Sequence, residues 1–385
     1  MNLGFLPVEG MDQSAIEPDA ELLAALRLML VNGIGPRTWQ SLLDAFETPA
    51  AVLTANTDQL QRVNGVGPKL AAAIRLSDPA TAIDEWRACQ RDGVRLFVRG
   101  RDDYPAGLSR IADPPPVLYC RGDLRPADEL AVGIVGSRHC TAYGRQTAEK
   151  LAGALARAGI TVVSGLARGI DACAHRGALQ AGGRTLAVFA TGLQTIYPPE
   201  HRELAEEVAA SGALLTESPL RQQPLPGLFP QRNRIIAGLS LGVIVVEAGR
   251  ASGALHTARH AMEQNREVFA VPGRIDSEHS LGCLDLIRDG VTLIRDVDDV
   301  LKALGPLTTP VPKAAVPAEK IHHPAELLLS DQERAVLQCV PTDALSVDEV
   351  VRAAGLETSR VLTTLTVLEM RQLVRRLPGG FVVRK

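Results

Sequence analysis

The residues able to do chemistry lie where short apolar runs end. Gly159-Ile-Thr-Val-Val163 is followed by Ser164-Gly-Leu-Ala-Arg-Gly-Ile-Asp171, then by His175 within a helical stretch from Ala172 to Ala181. A buried strand that ends in Ser, Gly, Arg and Asp and runs into a helix has the composition of an anion site. The first helical turn offers unpaired N–H groups and the positive end of the macrodipole. Ser164, Gly165, Arg168 and Gly169 are the candidates here. The arrangement also occurs earlier, where Leu130-Ala-Val-Gly-Ile-Val135 leads into Gly136, Ser137 and Arg138 with a helix expected from about Thr141. Both loops are expected to hold phosphate. Asp171 and His175 sit at helical i and i+4. They read first as a side-chain hydrogen bond fixing the loop around Arg168, and only second as an acid/base pair.

Two further loops repeat the theme. Phe229 to Ser240 opens a helix just after Pro230, with Arg232, Asn233 and Arg234 expected in its first turn. Cations there oppose the helix dipole unless an anion binds nearby or a carboxylate is buried against them. The two arginines point about 200° apart around the helix, so one is expected on phosphate and the other in a structural ion pair. Val243 to Arg259 is another strand, small-residue loop and helix, offering Ser252, Gly253 and Thr257. Glu247, at that strand end, is expected to pair with an arginine of a neighbouring loop. Four strand ends thus present Ser, Thr, Gly and Arg without an aligned nucleophile and base. That suits a row of phosphates, with no catalytic residue.

Other activities fit poorly. The first turn reads GxxGSR instead of GxGxxG, and the second strand ends in Ser164-Gly165 where a dinucleotide fold needs an acid for the ribose. No GxxxxGK[ST] is present, as a phosphate-transferring P-loop requires. His256, His260 and Glu263 lack the HExxH order and read as a solvated helix face, and the six cysteines form no metal-ligand spacing. No metal and no cofactor are expected, and the cysteines read as reduced cytosolic thiols.

The elements that position these loops alternate between apolar runs and helices. Strands are expected at 131–135, 161–163, 185–190, 214–216, 242–246, 268–271 and 291–294. Strands continuous in Val, Ile and Ala between amphipathic helices indicate a doubly wound α/β domain, an extended Rossmann-like parallel sheet over 89–304. Ahead of it, after an irregular tail at 1–18, a helical domain at 19–88 contains a repeat. Val31-Asn-Gly-Ile-Gly-Pro-Arg37 recurs as Val63-Asn-Gly-Val-Gly-Pro-Lys69. The repeat resembles paired helix-hairpin-helix motifs, which bring N–H groups and a charge to DNA backbone, and that resemblance makes Gly33, Gly35, Arg37, Gly65, Gly67 and Lys69 secondary candidates. A purely structural joint between packed helices explains the motif as well. A Pro-rich linker at 305–326 leads to 327–385, whose three amphipathic helices and terminal hairpin, turning at Pro378-Gly-Gly380, make a winged helix-turn-helix. Its Thr358–Met370 helix suits a major groove or a protein partner, with Arg360 and Arg371 as its cations.

At 385 residues and 46% apolar composition the chain can bury a sizeable core. Aromatic residues make up only 3%, which argues against a base-stacking platform, and a net charge of −3 leaves any nucleic-acid role to local arginines. No signal segment or membrane span is apparent, so the chain is expected in the cytoplasm, without membrane partners.

The motifs GIVGSRxxTxYG (133–144), SGLARGIDxxAH (164–175), TGLQTIYP (191–198), FPxRNRIIAGLS (229–240), VVEAGxxSGALxTA (245–258) and VFAVPG (268–273) carry a resemblance. Together, in order across about 100–295, they resemble the DprA (Smf) DNA-processing family, and the flanking modules fit it too. The resemblance implies single-stranded DNA as the ligand, a homodimer through the Rossmann-like domain, and no enzymatic turnover. It further implies protection of incoming DNA and loading of the RecA recombinase during natural transformation or recombination. It places the DNA pocket on Ser137, Arg138, Arg168, Gly169, Arg232, Asn233, Ser252, Gly253 and Thr257. Two positions depart from the pattern, His256 for an aliphatic residue and Leu284 for an Asn. The alternative is a nucleotide-hydrolysing relative of the phosphoribohydrolases, which resemble this chain in fold. Their PGGxGTxxE motif is broken here, since Pro272-Gly-Arg-Ile-Asp276 lacks the second Gly, the Thr and the Glu.

Overall fold

Proline and short polar caps set the starts of the first helices. A computed structural model describes residues 18–305, 331–341, 345–370, 373–377 and 381–384. It opens with α1 (Ala20–Met29), α2 (Pro36–Phe46), α3 (Pro49–Thr54), α4 (Thr57–Gln61), α5 (Pro68–Arg75) and α6 (Pro79–Arg91). Proline opens α2, α3, α5 and α6, where its fixed φ suits the first turn and its missing N–H removes no bond. Thr48, Asn56 and Asp78 cap the N-termini of α3, α4 and α6 with side-chain oxygens. The repeat is real in three dimensions. Ile34 N–H bonds to Val31 O at 3.2 Å and Val66 N–H to Val63 O at 3.1 Å, and each copy then starts a helix, α2 or α5. The hairpins pack on one another, Gly33 beside Leu70 and Gly65 beside Thr38.

The chain continues through β1 (Val94–Val98), α7 (Ala106–Ser109), β2 (Val117–Gly122), β3 (Ala131–Val135), α8 (Ala142–Arg157), β4 (Thr161–Ser164), α9 (Ile170–Gln180), β5 (Thr185–Phe189), α10 (Arg202–Ser211) and β6 (Ala213–Thr216). It closes with α11 (Leu228–Leu239), β7 (Gly242–Val245), α12 (Ala254–Glu263), β8 (Glu267–Ala270), α13 (Leu281–Arg288), β9 (Thr292–Leu293) and α14 (Val297–Leu304). These strands form a nine-stranded sheet in the order β1-β2-β6-β5-β4-β3-β7-β8-β9. From β6 to β9 all pairings are parallel, as the continuous apolar runs require. The strands β1 and β2 were not among the expected ones. They extend the sheet as an antiparallel hairpin, with β2 paired antiparallel to β6.

Alternate side chains serve opposite faces. Ala131 and Val135 of β3 join a core with Leu108, Ile235, Ile236 and Ala258, beneath α7, α11 and α12. Val132 and Ile134 join Leu151, Leu155, Ile170 and Ala174 of α8 and α9. The helical layer is no separate body. Trp39, Leu42 and Leu60 share one core with Val117, Tyr119 and Leu214 of the sheet. Glu85 accepts the Leu220 N–H at 2.7 Å, and Gln194 donates to Asp92 at 2.7 Å.

A second compact unit contains α15 (Asp331–Gln338), β10 (Leu345–Ser346), α16 (Val347–Ala354), α17 (Thr358–Met370), β11 (Val374–Leu377) and β12 (Phe381–Arg384). The three strands pair in the order β10-β12-β11 around a core of Val336, Val350, Leu365 and Val382, which is the expected winged-helix arrangement. Arg360 of α17 is engaged internally, donating to Gln332 at 2.6 Å. The expected N-terminal tail, nearly all of the Pro-rich linker, Arg371 and the turn at Pro378–Gly380 lie outside the described residues.

Candidate functional site

Sheet order reverses at β3, which has β4 on one side and β7 on the other. In a doubly wound sheet the ligand crevice opens at the carboxyl ends of the strands flanking such a reversal. A cavity of about 790 Å³ lies there. Its walls include Ser137 and Arg138 after β3, Ala167 and Asp171 after β4, and Ser252, Gly253, His256 and Thr257 after β7. Tyr197 and, from α11, Phe229, Arg232 and Asn233 complete it, and a smaller adjoining hollow adds Arg168 and Pro198. Thus the loops that follow three neighbouring strands open side by side.

Backbone contacts hold these loops together. Ser137 N–H donates to Glu247 O at 2.6 Å, tying the β3 loop to the end of β7. Ile170 N–H donates to Ser137 O at 3.2 Å, tying the β4 loop to the β3 loop. Gly169 makes that approach possible. Its φ is +75°, and a Cβ there would collide with the carbonyl oxygens of Ser137 and Arg138. The exposed Arg138 places its guanidinium 5.3 Å from the centre of the Phe229 ring, which Tyr197 meets edge-on at 5.6 Å.

Asp171 organises the β4 loop. One of its carboxylate oxygens accepts the N–H groups of Gly165 at 3.1 Å and Ala167 at 3.3 Å, and between them Leu166 takes a left-handed φ of +56°. Burial raises the Asp171 carboxyl, against the pull of Arg232 and the two N–H donors. The expected Asp171–His175 bond is absent. His175 is wholly buried and instead meets Thr185 Oγ1 at 2.7 Å, and burial depresses its imidazole to about 3. Arg168 reaches outward, and its Nε donates to Glu200 at 2.5 Å.

Several candidates are placed differently from expectation. Ser164 is fully buried and donates its hydroxyl to Ile134 O at 2.6 Å, so it cannot meet a ligand. Gly165 is buried too, beneath the Arg232 guanidinium, where a Cβ has no room. The helix α11 begins at Leu228, before Pro230, which moves Arg232 and Arg234 out of its first turn. Both arginines are buried with carboxylates to balance them. Arg234 pairs with Glu217 at 2.5 Å and Asp113 at 3.1 Å, away from the cavity. Among the described residues Glu247 pairs with no arginine. It accepts the backbone N–H of Thr141 at 2.8 Å and its hydroxyl at 2.5 Å, securing the N-cap of α8. Of the remaining candidates, Asn233, Ser252 and Gly253 stand at the cavity surface, whereas Thr257 is buried at 1% exposure. Asn233 donates to Gly253 O at 3.3 Å, Ser252 Oγ accepts the Ala254 N–H at 3.3 Å, Gly253 caps α12 with open space around its Cα, and Thr257 forms part of the wall. The hairpin candidates Gly33, Gly35, Arg37, Gly65, Gly67 and Lys69 are exposed in the helical layer.

A family model described as DNA recombination-mediator protein A matches residues 95–305, more than half of the chain. The chain belongs to the DprA (Smf) family. A SAM-like helix-hairpin-helix tandem matches 25–77 and the DprA winged helix domain matches 318–380. Protein Smf of Synechocystis is 36% identical over 91% of this chain and 95% of its own length. Among solved structures, DprA of Streptococcus pneumoniae superposes with a TM-score of 0.66 at 35% identity, covering 73% of this chain and 97% of that one. DprA of Helicobacter pylori, solved for its single-stranded DNA binding mode, gives 0.50 at 31% identity over 55% of this chain and 95% of its own.

Within this DprA-type cavity, sequence reasoning missed the aromatic wall of Tyr197 and Phe229, and the lining by His139, Glu278 and His279. Tyr197 and Phe229 were legible in principle. They belong to the few aromatics of the chain, and each stands beside a proline within a family motif, Tyr197 in the loop after β5 and Phe229 at the start of α11. Nothing in the sequence marks the others. His256 does line the cavity, whereas Leu284 is not among its walls.

Proposed function

We infer that this chain binds single-stranded DNA along the carboxyl ends of β4, β3 and β7 and acts on it by holding it, without chemical turnover. The observation that carries the reading is the cavity at the sheet reversal, where exposed Arg138 and Arg168 stand beside the N-termini of α9 and α12. The dipoles of those helices place positive potential at the cavity, while the N–H groups of Ile170, Ala254, Leu255 and His256 are already bonded within the chain, and the arginines add charge. Asp171 is occupied by backbone N–H groups and gives no aligned base. The described solved structure of the Helicobacter pylori relative supports the same ligand. A site made of loop backbone and isolated cations follows a flexible single strand more readily than a stiff duplex. It also carries little base information.

Membership of a DNA-processing family supports a wider role, which belongs to the same reading. The chain protects incoming single strands and passes them to the RecA recombinase during transformation or recombination, acting in the cytoplasm as a homodimer through the sheet domain. Fluorescence anisotropy with single-stranded and duplex oligonucleotides, in wild type and Arg168→Ala, tests the ligand. Salt-sensitive binding that prefers the single strand and collapses in the variant is expected. Equal binding of both forms, or an indifferent variant, would send the DNA to the helical and winged-helix modules and reopen the nucleotide-hydrolase reading.

A further inference from the structure

Arg232 faces the cavity in a position where a cation invites assignment to phosphate, yet its surroundings assign it another task. Its residue is only 5% exposed. One guanidinium nitrogen donates to Gly165 O at 2.8 Å and also to Val188 O, so it bridges the carboxyl ends of β4 and β5. Its Nε donates to Asn233 Oδ1 at 3.2 Å. Asp171 supplies the neighbouring negative charge and, with Gly165 and Ala167 N–H, shapes the left-handed turn at Leu166. His201 Nδ1 meets Leu166 O at 2.8 Å. Three successive residues are therefore pinned from below, immediately before Arg168.

We propose that Arg232 is a positioning residue for the DNA site: with Asp171 it holds the strained Gly165–Ala167 turn so that Arg168 stands over the cavity, and it makes no phosphate contact of its own. A left-handed non-glycine turn persists only where its surroundings over-determine it. Removing the clamp frees the turn to relax, and Arg168 then loses its fixed station while remaining charged. The proposal rests on the DNA reading above for its binding readout, but the state of the turn is observable without DNA.

The test compares Arg232→Gln with the charge-retaining Arg232→Lys in the full chain. Amide hydrogen exchange without DNA is expected to rise tenfold or more at Leu166–Gly169 in both, with α8 and β3 keeping wild-type protection. Single-stranded oligonucleotide binding is then measured with and without Arg168→Ala. The loss caused by Arg168→Ala in the wild-type background is expected to shrink to less than twofold in either Arg232 background, which a general loss of stability would not produce. Unchanged exchange at the turn overturns the proposal. So does a full Arg168→Ala loss in both Arg232 backgrounds, with a salt slope smaller by about 0.7 for Arg232→Gln alone, the mark of one direct phosphate contact. A wild type that binds no single strand would instead refute the function, leaving the exchange result to judge the clamp.

Discussion

Arg168 and Glu200 form an ion pair, Nε to carboxylate oxygen at 2.5 Å, at the rim of the cavity, with both side chains about half exposed at 48% and 50%. The guanidinium beside it holds the Glu200 carboxyl below the ordinary range. Arg168 thus already faces a carboxylate of its own chain, and on the proposed function a strand would compete with Glu200 for it.

Glu200→Gln should therefore tighten single-stranded DNA binding. Solvent-exposed pairs are weak, so a gain of about two- to fivefold at low salt is expected by anisotropy. The gain should vanish when Arg168 is alanine. A Glu200→Gln protein that binds no better than wild type would show that the pair does not compete with DNA.

Arg138 and Arg168 should each carry one phosphate. Replacing either by alanine is expected to weaken binding severalfold and to reduce the slope of log affinity against log salt by about 0.7. Lys69→Ala, in the hairpin layer, should leave both quantities close to wild type. A larger effect at Lys69 than at Arg168 would move the principal site to the hairpins.

Glu247 is a structural test case. Glu247→Ala leaves the Thr141 N–H without its partner and loosens the cap of α8, which should cost about 1–3 kcal/mol in urea unfolding. An unaltered midpoint would mean that the cap is satisfied in another way.

His175 predicts acid sensitivity. Its imidazole is depressed to about 3 in the folded chain, against 6.5 for the free group, so it stays neutral when folded. Below about pH 6.5 the unfolded chain takes up a proton that the folded chain refuses. Stability is complete above that pH and is lost as pH falls toward 3, at up to about 1.4 kcal/mol per pH unit. Urea unfolding at pH 7, 6 and 5 should show this decline, and His175→Asn should flatten it. An equally steep decline in the variant would assign the acid limb to other groups.

The sheet was largely legible because a strand buried on both faces must be apolar throughout. Ala131–Val135 and Gly242–Val245 meet that condition and stand where the spacing put them. The strand β1 does not, since Arg95 and Leu96 are exposed and half-exposed at the sheet edge, and β2 follows three prolines that mask its start. The site was legible in its loops but not in its side-chain directions. Ser137 and Ser164 both follow a strand in sequence, yet one stands at the cavity and the other points back at a strand carbonyl. Spacing also could not pair charges across the chain. Glu217 and Asp113 meet Arg234, and Thr141 meets Glu247, through contacts that only the folded sheet creates.

The three loops above β4, β3 and β7 inherit the spacing of the strands that bear them. Adjacent strands lie about 4.8 Å apart, so the row measures roughly 10 Å from end to end. A strand laid across it is gripped over a short footprint only, leaving most of a long polymer available to further copies. On the proposed function, occupancy along such a lattice would grow by tiling, and holding power would depend on how many copies share one strand rather than on the strength of any single grip.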